Sequence, residues 1–264
     1  MSYSQSKVVI LKANMSSSKG GGLEKSTRYL AKAFFEKGMQ VTVLTSGAKD
    51  SWTQEGINYV NVSGKTGVSV WDVKKFDQNC QKWLSKNACE IIFGMERNSF
   101  QTHYRAGSGV HKVYLQQRNR QDSWLKGLFN KINPLQRLIL SLEKTAFEHP
   151  LLKVLFTNSS MVKEEILSNY QIDSKKIHVV HNGVQWTKWG KAFSNWEEGK
   201  LQTAKKYNLN PNLFQLLFVG NGYRRKGLKY LLHSLSRIED KNFQLVVLGK
   251  DKEISYYKRL ACKL

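Results

Sequence analysis

The sequence predicts an α/β fold built on parallel sheets, arranged in two successive series of strands and helices. Short β-branched runs alternate with segments of helical periodicity along most of the 264 residues. In each series a strand leads through a glycine turn into a helix and then into another strand, with the turns at 20–22 and 220–222. Such a unit makes its two strands parallel, because the helix carries the chain back across the sheet.

The first series occupies residues 1–183, which we predict to be one domain. Short buried strands are predicted at 8–11, 41–45, 57–62, 90–93, 110–114, 154–157 and 177–180. Helices are predicted at 23–37, at 71–86, within 121–149 and at 159–170. Gly38 ends the first helix, Pro134 interrupts the third, and Ser159 with Ser160 caps the fourth.

The second series occupies residues 213–264, with strands at 213–219 and 243–248 and a helix at 226–238 between them. Residues 184–212 are rich in Lys, Trp and Glu and have weaker periodicity, so we assign them to a linker. Two strands are few for a stable sheet, and the second domain is therefore predicted to be incomplete.

The chain is basic along its whole length. Lys and Arg number 42 against 20 for Asp and Glu, which gives a net charge of +22. This charge suits an anionic partner, namely a nucleic acid, an acidic membrane surface or a phosphorylated small molecule. A lysine-rich proteome would produce the same excess without such a partner.

The cysteines and the hydropathy pattern indicate the compartment. Cys80, Cys89 and Cys262 have no metal-binding spacing and are odd in number, which predicts neither a disulfide framework nor a metal site. No secretory leader and no apolar stretch of about 20 residues is present in the sequence. We therefore expect an intracellular protein that is soluble or peripheral to a membrane.

Two glycine turns carry candidate phosphate-binding residues. Gly21 and Gly22 let the backbone approach a ligand, and the helix that follows presents free N–H groups to a phosphate, although a flexible turn has the same composition. In the second series Gly220 begins a turn that leads to Arg225 and Lys226. Cations at a helix start are unfavourable without a bound anion, so this pair is predicted to bind phosphate; the alternative is a solvated basic turn.

A loop of small residues at 106–110 precedes His111, with Arg105 and His103 close by in sequence. This group could bind sugar hydroxyls or an anion, whereas a lone histidine is often structural. The neighbouring Glu96-Arg97 pair is predicted to be a surface ion pair.

The segment 112–144 combines charge with aromatic side chains. It holds seven basic and two acidic residues, with Trp124, Leu125, Leu128 and Phe129 among them. A cationic helix with an aromatic edge can lie in an anionic membrane interface, and a core-facing helix with a solvated basic face would look the same. Known RNA-binding and nucleophile motifs are absent from the sequence.

Several motifs, in this order, resemble one known family: Gly21-Gly22-Leu23-Glu24, Val179-Val180-His181-Asn182-Gly183-Val184, Phe218-Val219-Gly220, Arg225-Lys226-Gly227-Leu228 and Val246-Val247-Leu248-Gly249-Lys250-Asp251. They are similar to motifs of the retaining glycosyltransferases of family 4. These enzymes have the GT-B fold of two Rossmann-like domains. Within the family the sequence resembles the glucosyltransferases of the lipopolysaccharide core.

The resemblance implies a role for each candidate residue. Arg225 and Lys226 would hold the diphosphate of a nucleotide sugar and neutralise the leaving group, and Gly220 would belong to the same donor-binding turn. Gly21 and Gly22 would line the cleft beside donor and acceptor. His111 would touch the transferred sugar. No metal ion and no cofactor are expected.

The implied reaction moves a hexose, glucose, from UDP-glucose to a lipopolysaccharide core or related glycolipid, with retention of configuration. The implied location is the inner face of the cytoplasmic membrane, with the segment 112–147 in contact with its anionic surface. A nucleic-acid partner is not part of this expectation, because it depends on charge alone.

The sequence departs from the family pattern in its second domain. A Glu-x7-Glu pair normally follows the Arg-Lys turn, yet Leu264 comes 37 residues after Gly227 and the pair is absent. The chain is then either a fragment of a longer protein or a shortened relative. The alternative function is an inactive module that binds an acceptor or an anionic membrane.

Overall fold

The computed structural model describes residues 6–15, 21–46, 55–63, 66–121 and 132–264. The chain divides into two compact units, Met1–Asn182 and Gly183–Leu264. Each unit is built on a parallel sheet, which confirms the predicted α/β class.

The first unit contains seven described strands and the helices between them. The strands are β1 Lys7–Leu11, β2 Gln40–Ser46, β3 Ile57–Ser63, β4 Ile91–Gly94, β5 His103–Arg105, β6 Val154–Thr157 and β7 Ile177–Val179. The helices are α1 Gly22–Glu36, α2 Ser69–Leu84, α3 His111–Gln121, α4 Pro134–Glu148 and α5 Ser160–Asn169. A single 3₁₀ turn, Ser174–Lys176, precedes β7.

The seven strands form one parallel sheet in the order β3-β2-β1-β4-β5-β6-β7. Val8 of β1 lies beside Val41 on one side and Ile91 on the other. The strand order reverses between β1 and β4, and a doubly wound sheet opens a crevice at the carboxyl ends of such a pair.

The alternating side chains of β1 explain how helices cover both faces of the sheet. Val8 and Ile10 pack with Ala31 of α1 on one face. Val9 and Leu11 pack with Phe76 and other residues of α2 on the opposite face. All four β1 side chains are buried, as expected for a strand in the centre of a parallel sheet.

One predicted strand is wrong. Residues 110–114 lie mostly in helix α3, and the strand of this region is β5, which pairs with β4 and β6. Val110 and Leu115 are buried, a spacing that fits a helix face as well as a strand. The side chain of Glu143 fixes the helical start, because it accepts hydrogen bonds from the first backbone amides of α3. This partner is 32 residues away in sequence and outside any local pattern.

The second unit begins with two helices, α6 Trp186–Phe193 and α7 Trp196–Tyr207, in the segment that we assigned to a linker. It continues with β8 Phe214–Val219, the one-turn helix α8 Tyr223–Lys226, α9 Leu228–Ser236, β9 Phe243–Leu248 and α10 Ile254–Lys263. The predicted helix at 226–238 is therefore interrupted. Gly227 has a φ of 82°, which ends α8 and caps α9.

Strands β8 and β9 pair in parallel with Phe214 beside Phe243. A small core of Tyr223, Leu228, Leu232 and Tyr257 lies under this pair. Phe214 and Leu217 are 70% and 62% exposed, so part of the sheet is uncovered within the described residues.

Gly249 offers a test of how tightly the turns after β8 and β9 pack. Its φ is 145°, and a Cβ there would lie 2.1 Å from the carbonyl oxygen of Gly220. We expect Gly249→Ala to lower the free energy of unfolding of the second unit by about 1–3 kcal/mol, measured by urea denaturation. Gly199→Ala in α7, where nothing lies within 4 Å of the new Cβ, is the control and should be neutral or slightly stabilising. Equal effects of the two changes would contradict this packing.

Candidate functional site

The carboxyl edge of the first sheet holds a buried cation between two carboxylates. Lys12 follows β1 and is only 2% exposed. Its Nζ lies 2.5 Å from Oε1 of Glu96 and 3.8 Å from Oε1 of Glu24. Glu96 also accepts a hydrogen bond of 2.9 Å from the amide of Ala13. This carboxylate therefore joins the segments that follow β1 and β4, on the two sides of the switch point.

Gly21 and Gly22 lie at the start of α1, next to this charged group. Gly21 is the N-cap residue and has no side-chain hydrogen bond to offer, so the first amides of α1 are uncapped by a side chain. A Cβ on Gly22 would meet nothing within 4 Å, and one on Gly21 would lie 3.1 Å from Glu24. The third glycine of the motif, Gly20, lies outside the described residues.

A fully buried carboxylate, Glu143 of α4, organises the start of α3. It accepts hydrogen bonds from Arg97 Nε at 2.8 Å, from the His111 amide at 2.6 Å and from the Lys112 amide at 3.0 Å. The hydroxyl of Tyr170 donates a fourth bond, at 2.6 Å. A carboxylate at a helix N-terminus and beside a guanidinium is favourable on both counts.

The prediction for Glu96 and Arg97 is wrong. The two side chains do not pair with each other at the surface. Glu96 binds Lys12, and Arg97 binds Glu143 while its Nη2 donates to the Gly109 carbonyl at 2.9 Å. Each side chain is drawn to a partner of opposite charge that is distant in sequence, and the sequence around residue 96 does not reveal either partner.

His111 is the first residue of α3 and is held on several sides. Its Nε2 lies 2.5 Å from Oε1 of Gln136, and its ring stacks on Tyr114 with centroids 5.8 Å apart. Burial lowers the pKa of His111, and the hydrogen bond to Gln136 opposes that shift. The ring is therefore mainly neutral near pH 7, and because its Nε2–H is donated to the Gln136 oxygen, Nδ1 is left to accept a hydrogen bond from a hydroxyl.

His103 and Arg105 both lie in β5 but have different surroundings. The ring of His103 stacks on Phe93, and burial followed by the charge of Lys153 lowers its pKa. The guanidinium of Arg105 contacts Asn182, which follows β7. The two residues therefore do not share one set of contacts with His111.

In the second unit, hydrogen bonds tie the turn after β8 to the turn after β9. The amide of Tyr223 donates to Oδ2 of Asp251 at 2.7 Å, and the amide of Lys250 donates to Oδ1 of Asn221 at 2.8 Å. The Tyr223 hydroxyl donates to the carbonyl of Gly249 at 3.0 Å. The carboxyl ends of both strands thus form one rigid platform.

This platform places Gly220, Arg225 and Lys226 together. A Cβ on Gly220 would lie 3.3 Å from Cγ of Lys226, so the lysine side chain passes directly over this glycine. Both cations are exposed. Both residues lie in the one-turn helix α8 and come immediately before Gly227, the N-cap of α9.

The scan against protein families matches residues 20–186, well over half of the chain, to Glycosyltransferase Family 4. The chain belongs to glycosyltransferase family 4. An uncharacterized glycosyltransferase of Methanocaldococcus jannaschii is 29% identical over 109 residues, which cover 41% of this chain and 27% of that protein.

Solved structures share the fold at low sequence identity. WaaG, a glycosyltransferase involved in lipopolysaccharide biosynthesis, matches with a TM-score of 0.79 at 18% identity, over 97% of this chain and 66% of its own. Sucrose-phosphate synthase from Thermosynechococcus elongatus matches with a TM-score of 0.64 at 14% identity, over 98% and 67%. A glycosyltransferase from Rickettsia africae matches with a TM-score of 0.64 at 15% identity, over 99% and 65%.

These matches confirm the predicted GT-B type of α/β fold for a family 4 chain. The chain spans about two thirds of the length of the solved structures that it resembles. The described part of the chain contains no group of three or more His, Cys, Asp or Glu side chains suited to a metal ion. Nor does it contain a helix long and apolar enough to cross a membrane.

Several residues of this family 4 chain were missed in the sequence. Lys12 and Glu143, which hold the charged groups of the first unit, were not selected as candidates. Glu24 and Asp251 were named only as members of motifs, without the contacts that they make here. Lys12 directly follows a buried strand, and that position was the signal that could have found it. Glu143 carries no such signal, because it lies within an amphipathic helix.

Glu143 can be tested by a near-isosteric change. In Glu143→Gln the side-chain NH2 would face N–H and O–H donors and Arg97 would lose its counter-charge, so we expect the free energy of unfolding to fall by about 3 kcal/mol in urea denaturation. Glu148→Gln on the same helix alters a 3.9 Å pair between the partly buried Glu148 and the exposed Lys144, and the new amide oxygen can still accept the hydrogen bond from the Gln171 amide. It should change the free energy of unfolding by less than about 1 kcal/mol. Similar losses from both changes would contradict the assigned role of Glu143.

The lowered pKa of His111 predicts a pH dependence of stability. The folded state binds a proton at His111 less readily than the unfolded chain does, so its stability is complete above the ordinary pKa of 6.5 and falls as the pH falls below it. His103 contributes in the same direction. Urea denaturation between pH 8 and pH 5 should show this loss, and His111→Gln should reduce it without abolishing it. An NMR titration of the His111 ring with a midpoint above 6.5 would contradict the assignment.

Proposed function

We propose that this family 4 protein transfers a hexose from a nucleotide diphosphate sugar to a glycolipid, with retention of configuration at the anomeric carbon. The donor of this proposal is UDP-glucose, and the acceptor is a lipopolysaccharide core or a related glycolipid. WaaG, to which the chain is structurally similar, is described as a glycosyltransferase involved in lipopolysaccharide biosynthesis.

The observation that carries the donor half of the proposal is the platform of the second unit. Gly220 follows β8 directly and has no side chain of its own. Arg225 and Lys226 lie in the short helix that follows, and both are exposed. Ligands of parallel α/β sheets bind at the carboxyl ends of the strands. A diphosphate at this position would be held by one guanidinium, which can bind it through two hydrogen bonds, and by one ammonium.

The same cations supply the chemistry that the transfer needs. Breaking the bond between the sugar and the diphosphate leaves negative charge on the departing phosphate oxygen. Two fixed cations stabilise that charge more as the bond breaks than before it, and this difference lowers the barrier. The first unit contributes His111 at the start of α3, in the neutral form that can hydrogen bond to a sugar hydroxyl.

The acceptor half of the proposal places the protein on an anionic membrane surface. Helix α3 carries Lys112, Arg118 and Arg120 and no acidic residue, and Tyr114 is exposed beside them. A basic helix with an aromatic side chain is attracted to anionic headgroups at the membrane interface. The aromatic and leucine residues of the sequence prediction, Trp124, Leu125, Leu128 and Phe129, lie outside the described residues.

The proposal is tested by replacing the cations of the platform. We expect Arg225→Ala and Lys226→Ala each to weaken binding of UDP at least tenfold, measured by calorimetric titration, because each removes about 1.5–3 kcal/mol of charge-assisted hydrogen bonding. The rate at which UDP is released from UDP-glucose in the presence of the glycolipid should fall in the same variants.

Arg237→Ala is the matched control, since Arg237 is an exposed arginine at the far end of α9 in the same unit. It should bind UDP as the unchanged protein does. If Arg225→Ala and Arg237→Ala bind UDP equally well, the turn after β8 is not the donor site.

A second candidate function is binding of an acceptor or an anionic membrane without transfer. It is favoured by the basic helix α3 with its exposed Tyr114, which can attract anionic headgroups whether or not a donor is bound. Binding to vesicles that contain phosphatidylglycerol, together with no measurable binding of UDP, would support this function over the first.

A further inference from the structure

The two arginines on the carboxyl edge of the first sheet have opposite environments. Arg97 follows β4, and its charge is matched by the buried carboxylate of Glu143. Arg105 ends β5, is half-buried, and has no carboxylate partner among the described residues. A partly desolvated cation is normally paired, so the unmatched charge of Arg105 calls for an anion from outside the described chain.

The guanidinium of Arg105 is fixed in place by neutral neighbours. Its Nη2 donates to Oδ1 of Asn182 at 2.6 Å. A Cβ on Gly107 would lie 2.2 Å from its Nη1, so the guanidinium packs directly against the backbone of this glycine. Since neither contact supplies charge, the group is oriented without being neutralised.

Loops after three neighbouring strands converge on this position. Asn158, which follows β6, donates through Nδ2 to the carbonyl of Gly107 at 3.2 Å. Nδ1 of His181, which follows β7, lies 3.1 Å from the carbonyl of Asn158. These bonds hold the segments after β5, β6 and β7 together around Arg105 before any ligand arrives, which lowers the entropy cost of binding.

We infer that Arg105 is the centre of an oxyanion subsite on the first unit, with Asn182 and Gly107 orienting its guanidinium toward a phosphate group. An arginine has five N–H donors, and the described contacts occupy only the one that faces Asn182. The remaining fork matches two oxygens of one phosphate. This subsite belongs to the first unit and is distinct from Arg225 and Lys226, which belong to the second.

The inference rests on the proposed function in one respect: it assigns this phosphate to the acceptor or its membrane and not to the nucleotide sugar donor. Two sources present the same chemistry, namely a phosphate ester on a glycan acceptor and the headgroup of an anionic phospholipid. Both would place a phosphate dianion or diester against the same guanidinium.

The direct test follows the arginine side-chain Nε–H signals by NMR while inorganic phosphate replaces chloride at constant ionic strength. We expect the Arg105 signal to shift and saturate, and the Arg97 signal to stay in place because Glu143 already occupies its Nε–H. Absence of a saturable shift at Arg105, or an equal shift at Arg97, would overturn the inference.

Substitutions give the second test. Arg105→Gln should weaken phosphate binding about tenfold or more, and Arg105→Lys, which keeps the charge but loses the fork, by a smaller factor. Asn182→Ala keeps the charge of Arg105 but removes the hydrogen bond that orients its guanidinium, and it should weaken phosphate binding about threefold. Arg137→Gln, an exposed arginine of α4, is the control and should change nothing. Circular dichroism on each variant separates lost binding from lost folding.

Two further probes separate the sources and the two proposals. Glucose 6-phosphate that binds in an Arg105-dependent way identifies a phosphorylated acceptor, whereas Arg105-dependent binding to phosphatidylglycerol vesicles alone identifies a headgroup; either result supports the subsite. Loss of UDP binding in Arg105→Gln would overturn it, because the anion would then belong to the donor. Normal phosphate binding in Arg105→Gln with UDP binding lost in Arg225→Ala would overturn the subsite and leave the proposed function standing.

Discussion

The hydrogen bonds of Glu143 are the interaction on which the part of the first unit around α3 depends. One buried carboxylate receives the guanidinium of Arg97, the first two amides of α3 and the hydroxyl of Tyr170. A charge with no access to water is tolerated only when donors surround it in this way. Because Glu143 joins its own helix to residues from three other segments, the position of His111 is fixed by the tertiary structure and not by the loop that precedes it.

The two units hold polar groups at the carboxyl ends of their strands by different interactions. Both place their polar groups at the carboxyl ends of parallel strands, where the fold provides an open edge. The first unit balances charge with charge, as Lys12 with Glu96 and Arg97 with Glu143 show. The second unit relies on backbone geometry, because the glycines after β8 and β9 let two turns approach closely and leave the cations of α8 exposed. Family 4 membership is consistent with both arrangements.

Sequence patterns were sufficient for elements that are determined by residues close together in the chain. The central strands could be predicted from β-branched runs, and Ser159 caps its helix as predicted. Pro134, predicted to interrupt a helix, is the first residue of α4, and its cap Asn133 was not predicted. The sequence failed where a distant group decides the outcome. The strand predicted at 110–114 is mostly helical, and Glu143 caps the start of this helix. The helix predicted at 226–238 is divided at Gly227, whose φ of 82° cannot be predicted from the spacing of apolar residues. Arg225 and Lys226 were chosen from sequence as candidate phosphate ligands, but the separate one-turn helix α8 that carries them was not predicted.

The internal capping of α3 also shapes the electric field outside the protein. Its N-terminal dipole is neutralised from within the core by Glu143, so the outer surface of the helix needs no acidic residue to stabilise it. Lys112, Arg118 and Arg120 are all exposed, so this face of the helix carries a positive potential into the solvent. The reach of that field is set by the surrounding salt, about 10 Å at 0.1 M ionic strength. Encounter of this surface with an anionic partner is consequently governed by ionic strength more than by the exact shape of the partner.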